Sequence, residues 1–148
     1  LHARLPARPM TVLPGVRPVL ERLEGEPEVA LGLLTGNILQ GARLKLGSVG
    51  LMGYFPVGGF GSDSEVREDL TPVAIERASR HFGREFPAAS VVVVGDTPRD
   101  VACGRKGGTR TVAVATGRYD ERALSGTGAD RVLSDMGDLA ATLGAILG

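Results

Sequence analysis

Short, continuous apolar runs alternate along the chain with stretches in which apolar residues recur every three or four positions. VALGLLTG (Val29–Gly36), VGGFG (Val57–Gly61), SVVVVG (Ser90–Gly95), TRTVAVATG (Thr109–Gly117) and ADRVLS (Ala129–Ser134) read as strands. The intervening stretches read as helices. VLPGVRPVLERL carries Val16, Leu20 and Leu23 on one face. NILQGARLKLGSVGL opens with Asn37 as a candidate N-cap and Gln40 at the reciprocal capping-box position. TPVAIERASRHF opens with Thr71 as a cap and Pro72 at the first helical position, with Ile75, Ala78 and Phe82 as its apolar stripe. TPRDVACGRKGG is capped by Thr97, and DMGDLAATLGAILG turns Leu139, Leu143 and Ile146 to one side. Strand and helix alternating in this way predict an α/β fold with a parallel sheet and helices on both faces. The unbroken valines of SVVVVG predict a strand covered on both sides.

LHARLPARPM stands apart: it is basic, contains two prolines and fits no element of the sheet. Residues 1–11 therefore read as the end of a preceding segment, and residues 12–148 as one core domain. Composition changes this picture little. Seventeen basic residues balance seventeen acidic ones, which gives no reason to expect a nucleic-acid partner or a membrane surface. No apolar run is long enough to span a bilayer. Cys103 is the only cysteine, so no internal disulfide and no cysteine metal cluster can form. This fits a reducing compartment, and a cytoplasmic location is expected.

The chemistry-bearing residues fall at or near the carboxyl ends of the strands, where open parallel sheets bind their ligands. Thr35-Gly36-Asn37 either ends a strand and caps a helix or seats a phosphate on a hydroxyl and free backbone N–H groups. Arg67 is either a solvated surface charge or the cation that neutralises a phosphate. Asp63 and Asp69 read as turn and capping residues. Asp100, three residues after Thr97, completes a capping box or supports a metal. Asp96 cannot be a cap of that kind, because it sits at the tip of a buried strand before the helix begins. A carboxylate there is costly unless a cation meets it, and a hard, oxygen-loving ion such as Mg²⁺ does so.

Taken in order, these motifs resemble the haloacid dehalogenase-like hydrolase superfamily, and in particular its phosphoglycolate-phosphatase-like branch. LLTGN matches the second family motif, a hydrophobic strand followed by Ser or Thr. The resemblance implies that Thr35, with Gly36 and Asn37, binds the phosphate. GDTPRD matches the GDxxxD fourth motif and implies Mg²⁺ binding by Asp96 with Asp100 in support. Arg67 in SEVREDLTPVAIERA matches the single basic residue of the third motif, with Lys106 a weaker candidate. The resemblance runs from Val12 to the end of the chain. It implies a Rossmann-like sheet and a phosphatase that passes the phosphoryl group through an aspartyl-phosphate.

The family's first motif, DxD at the end of the first strand, has no match in this sequence. In the family that strand lies centrally, between the TGN and GD strands. These 148 residues are therefore expected to be the C-terminal part of a longer protein, lacking the first strand, the nucleophile and the cap. The missing strand would come from an upstream segment, a fragment bound in trans or another copy of the chain. The expected substrate is a small phosphorylated metabolite, and a phosphomutase remains the rival activity. A non-catalytic fragment or binding module is the reading from a different class. A flavodoxin-like or response-regulator-like domain would also place aspartates at strand ends, but would not explain TGN and GDxxxD together. His2 and His81 lack partners for a metal site or triad, and Cys103 reads as a small packing residue.

Overall fold

A computed structural model describes residues 15–35, 39–64 and 66–148, with only the backbone described for Leu39 and Arg67. In chain order the regular elements are helix α1 (Val16–Glu24), strand β1 (Gly32–Leu34), α2 (Leu39–Gly47), β2 (Val57–Gly59) and α3 (Leu70–Phe82). They continue with β3 (Val92–Gly95), α4 (Pro98–Lys106), β4 (Arg110–Val114), α5 (Glu121–Ser125), β5 (Arg131–Leu133) and α6 (Leu139–Leu147). All strand pairings are parallel, as expected from the strand–helix alternation. The candidate cap Asn37 and the whole segment LHARLPARPM lie outside the described residues.

The strands form two separate ladders. β1 pairs with β2, with Leu33 opposite Gly58, and the second sheet runs in the order β3-β4-β5. β4 is its centre, with Val93 opposite Thr111 on one side and Val132 opposite Ala113 on the other. Thr111, Val112, Ala113 and Val114 are buried. Alternate residues of β4 point to opposite faces, so each face builds its own core. On one, Ala113 meets Val101 of α4 and Leu124 of α5. On the other, Val112 and Val114 meet Ala145 of α6, with Val92, Leu133 and Ile146 packed around them. Helices on both faces thus cover β4, as the sequence pattern required of a parallel strand.

The two-sided cover expected of SVVVVG is found instead on β4. The side chains of β3 are only half-buried, and Val94 is 37% exposed. The reason is positional. β3 is an edge strand among the described residues, and its open edge faces a cavity instead of a neighbour.

Several helix details also differ from the sequence reading. In α1 the buried residues are Val19 and Leu23, with Leu20 half-buried. α3 begins at Leu70, so Thr71 lies inside the helix and caps nothing. Its buried hydroxyl instead donates to the Cys103 carbonyl of α4 at 2.9 Å. Phe82, expected in the stripe of α3, is 38% exposed and packs edge-on against His81 and Phe86. α6 buries Thr142 and Ala145 most deeply, with Leu139, Leu143 and Ile146 half-buried beside them. α5 was not anticipated. It is a short turn of helix capped by Asp120, which accepts the Ala123 N–H at 2.8 Å. Cys103 is fully buried, in keeping with a packing role.

Candidate active site

The carboxyl end of β3 is the best-defined part of the site. Thr97 is the N-cap of α4 and Pro98 follows it, so the missing proline N–H costs the helix nothing. The Thr97 hydroxyl accepts the Asp100 N–H at 3.2 Å. Asp100 folds back, and its Oδ2 accepts the N–H groups of Asp96 and Thr97 at 3.0 and 3.1 Å and the Thr97 hydroxyl at 3.0 Å. Of the two readings the sequence left for Asp100, the capping box is therefore present in the geometry. It goes further than an ordinary box, because it also clamps the N–H of Asp96.

This fold-back requires Gly95. A Cβ at that position would lie 2.3 Å from the Cβ of Asp100 and 2.4 Å from its Oδ2. The glycine of GDTPRD is thus needed for the close approach of helix and strand, which residue spacing alone does not disclose.

Asp96 follows directly, half-buried at the tip of β3. Its N–H is held by Asp100, and its carboxylate makes no hydrogen bond or ion pair with any described residue. The carboxylate lies over Gly117, in the loop after β4, where a Cβ would come within 2.6 Å of Asp96 Oδ2. Gly117 was not singled out in the sequence. The available signal was a glycine immediately after the TVAVAT run, the place where a neighbouring strand end passes close to β3.

Thr35 continues β1, its N–H donating to the Gly59 carbonyl of β2 at 3.1 Å. Leu34 and Val94, near the ends of β1 and β3, both line one cavity, so Thr35 and Asp96 follow the two strands that bound it. Gly36 and Asn37, the rest of the expected phosphate seat, lie outside the described residues.

The backbone of Arg67 opens a single 3₁₀ turn, Arg67–Asp69, just before α3. That turn is fastened to α4. Lys106 Nζ lies 2.8 Å from Asp69 Oδ1, and Arg99 Nε lies 3.7 Å from Glu68 Oε1. The Asp69 carboxylate holds the Lys106 ammonium above its usual pKa. Lys106 is thereby engaged as a fastening for the turn that carries Arg67, which counts against it as the third-motif residue. Asp63 is indeed a turn residue: it accepts the Phe60 N–H at 2.9 Å. It also grips Arg77 through both carboxylate oxygens, at 2.7 and 2.6 Å. The Arg77 guanidinium is the main cause that holds the Asp63 carboxyl below its usual pKa. Among the described residues no group of three or more His, Cys, Asp or Glu side chains could by itself enclose a metal ion. No helix of the described residues is long and apolar enough to cross a membrane.

Comparison with known proteins agrees with this geometry. Residues 67–139 match the HAD-hydrolase-like family model. A phosphoglycolate phosphatase from Synechococcus elongatus is 33% identical over 138 residues, covering 91% of this chain and 59% of its own. A hydrolase from Pseudomonas syringae superposes with a TM-score of 0.73 at 26% identity, over 92% of this chain and 63% of that one. A HAD family hydrolase from Deinococcus radiodurans, solved with bound phosphate and sodium, superposes with a TM-score of 0.62 at 26% identity, over 93% and 61% of the two chains. The chain thus spans about three-fifths of the length of these relatives. With the parallel strands and helices of a Rossmann-like fold, Thr35 after β1 and GDTPRD at the end of β3, the chain belongs to the haloacid dehalogenase-like hydrolase superfamily.

Proposed function

We propose that these residues form the phosphate- and metal-binding part of a Mg²⁺-dependent hydrolase of phosphate monoesters. The observation that carries this reading is the Asp96 carboxylate. Its backbone is clamped, a glycine is kept open beneath it, and no described residue neutralises it. A buried or half-buried carboxylate without a partner is unfavourable until a cation arrives. Mg²⁺ suits this donor set, because it is commonly held by one or two carboxylates, with waters and substrate phosphate completing its shell. Asp96 is the direct ligand in this reading, and Asp100 supports it by fixing the Asp96 backbone. When bound, the ion supplies positive charge beside the phosphate oxygens.

Thr35 donates its hydroxyl to a phosphate oxygen, with Gly36 and Asn37 adding backbone N–H groups. Arg67 adds a second positive charge as negative charge spreads over the phosphoryl group. A carboxylate nucleophile from outside these residues attacks phosphorus and the alcohol leaves. Water then attacks the aspartyl-phosphate, releasing inorganic phosphate and regenerating the carboxylate. The Deinococcus relative, with phosphate and a cation in its structure, supports a site of this chemistry. The substrate is a small phosphorylated metabolite, and a cytoplasmic location fits it. The rival reading, a non-catalytic member, is favoured by one observation: no DxD motif occurs in the sequence.

The test uses the longest natural form of the protein, with p-nitrophenyl phosphate as substrate. Hydrolysis should require Mg²⁺, and Asp96→Asn should lower the rate by about 100-fold or more while leaving the circular dichroism spectrum unchanged. Full activity in Asp96→Asn would overturn the assignment of the site. Absence of hydrolysis by the wild type would favour the non-catalytic reading.

A further inference from the structure

A further cavity, of about 470 Å³, opens beside strand β2. That volume is within the range of small-molecule sites. Its lining combines apolar and cationic side chains: Met52, Phe55 and Phe60 together with Arg43 of α2 and Arg77 of α3. Gly58 of β2 lines it too, and its backbone is buried.

The backbone defines what this cavity offers. In a strand the N–H and C=O of one residue point to the same side, and the next residue's to the other. The Thr35 N–H donates to the Gly59 carbonyl, so Val57 and Gly59 address β1, and Gly58 addresses the opposite edge. The Gly58 carbonyl there accepts from Arg77 Nη1 at 2.9 Å. The following Phe60 is closed by Asp63, whose Oδ2 accepts the Phe60 N–H at 2.9 Å and whose N–H donates to the Phe60 carbonyl at 2.8 Å. The Gly58 N–H has no acceptor among the described residues. The two cations differ in the same way. Arg77 grips both oxygens of Asp63, at 2.7 and 2.6 Å, so its charge is met. Arg43 is exposed, and its guanidinium makes no hydrogen bond or ion pair with any described residue.

We propose that this cavity binds a small organic carboxylate with an apolar body. One carboxylate oxygen accepts the Gly58 N–H, the charge faces Arg43, and the body lies against Met52, Phe55 and Phe60. A buried N–H without an acceptor is unfavourable until one arrives, and an ionised acceptor makes the stronger bond. A planar guanidinium matches a carboxylate in shape as well as charge. The apolar side chains gain by losing their contact with water. The proposal stands on these groups alone and does not depend on the reading of Asp96.

Other occupants fit less well. A strand added to this edge, from a peptide or a second copy, needs the Gly58 carbonyl and the Phe60 N–H. Arg77 and Asp63 already hold both, so the ion pair closes the edge to strands and leaves one donor open. A purely apolar molecule would leave the Gly58 N–H unpaired and Arg43 unanswered. A small inorganic anion would meet the charge but leave the aromatic walls in water.

The experiment titrates the longest natural form of the protein, labelled with ¹⁵N, with 3-phenylpropionate and follows the backbone amides by NMR. The expected result is a saturable downfield shift of the Gly58 amide proton, larger than the shifts of Val57 and Gly59, which face β1. The uncharged analogue 3-phenylpropanamide should bind about tenfold more weakly, having lost the charge on the acceptor. Arg43→Met keeps an apolar stem, so it should retain the native spectrum, weaken 3-phenylpropionate about threefold or more and leave the amide analogue unaffected. Absence of a saturable shift at Gly58, equal binding of acid and amide, or undiminished binding to Arg43→Met would overturn the proposal. Acetate binding as tightly as 3-phenylpropionate would overturn it too, because the apolar walls would then contribute nothing. So would a shift of the Gly58 and Phe60 amides that grows with protein concentration alone, since the occupant would then be a second copy. The titration contains neither Mg²⁺ nor phosphate, so its failure is distinguishable from failure of the phosphatase reading.

Discussion

Replacing Gly95 with alanine adds one methyl group at the point where strand β3 hands over to helix α4. The new Cβ would sit 2.3 Å from Asp100 Cβ and 2.4 Å from both Cγ and Oδ2. The obstruction is not the tip of a flexible chain: it includes Cβ, which moves only with the helix backbone. Two costs follow. Forcing strand and helix apart is an overpacking strain of about 1–3 kcal/mol. Turning the Asp100 carboxylate away dissolves the capping box and releases the Asp96 and Thr97 N–H groups, which costs about 1 kcal/mol more. Gly95→Ala should therefore lose about 2–4 kcal/mol of stability, seen as a fall in melting temperature of about 5–15 °C for a domain of this size.

A double-mutant cycle isolates the cause. Asp100→Gly removes the carboxylate and the Cβ together. Alone it should cost about 1–2 kcal/mol through the lost cap and the added backbone freedom. Adding Gly95→Ala to it should cost less than about 0.5 kcal/mol further, because nothing remains to collide with. Urea or thermal unfolding followed by circular dichroism supplies the four values. The reasoning is refuted if Gly95→Ala is as stable as the wild type, or if its penalty is undiminished in the Asp100→Gly background.

Gly117→Ala places a methyl group 2.6 Å from Asp96 Oδ2, so it should raise the Mg²⁺ concentration needed for half-maximal hydrolysis by the longest natural form while changing the melting temperature little; an unchanged Mg²⁺ requirement would mean that Asp96 is free to move aside. The Asp63–Arg77 pair makes a pH-dependent contribution. The pair holds the Asp63 carboxyl below its usual 3.8, so its stabilisation is fully present above that value and is lost as the pH falls through the lower folded-state value. Asp63→Asn should therefore be less stable than the wild type at neutral pH, by about 1 kcal/mol for so exposed a pair, and the gap should close on acidification below about pH 4; a gap independent of pH would assign the loss to the changed turn and not to the charge.

The element types were legible from the sequence because they depend on local periodicity. RTVAV forms a strand and PRDVACGRK a helix for reasons contained within a few residues: a run of β-forming residues, Thr97 as cap and Pro98 after it. The candidate ligands were legible for the same reason, since a carboxylate at a strand tip announces itself by position. Residue type and spacing also carried the likeness to the superfamily. Asp100 was left open between cap and ligand, because both uses demand the same residue at the same spacing. Only the three-dimensional path of its side chain over Gly95 shows three donors converging on one oxygen.

What lay beyond the sequence depended on which elements become neighbours. Nothing local to Thr71 says that α3 starts two residues before Pro72, at Leu70, and that the Thr71 hydroxyl meets the Cys103 carbonyl of another helix. Nothing local to Gly117 says that Asp96 lies against it. SVVVVG reads as the covered strand, yet it is β4 that is enclosed, because β4 has a strand on each side and β3 has an open edge among the described residues. Amino-acid order determined the strands, the helices and the chemistry placed at their ends. Tertiary structure decided their neighbours, since burial, close approach and unpaired backbone edges are properties of residues far apart in the chain.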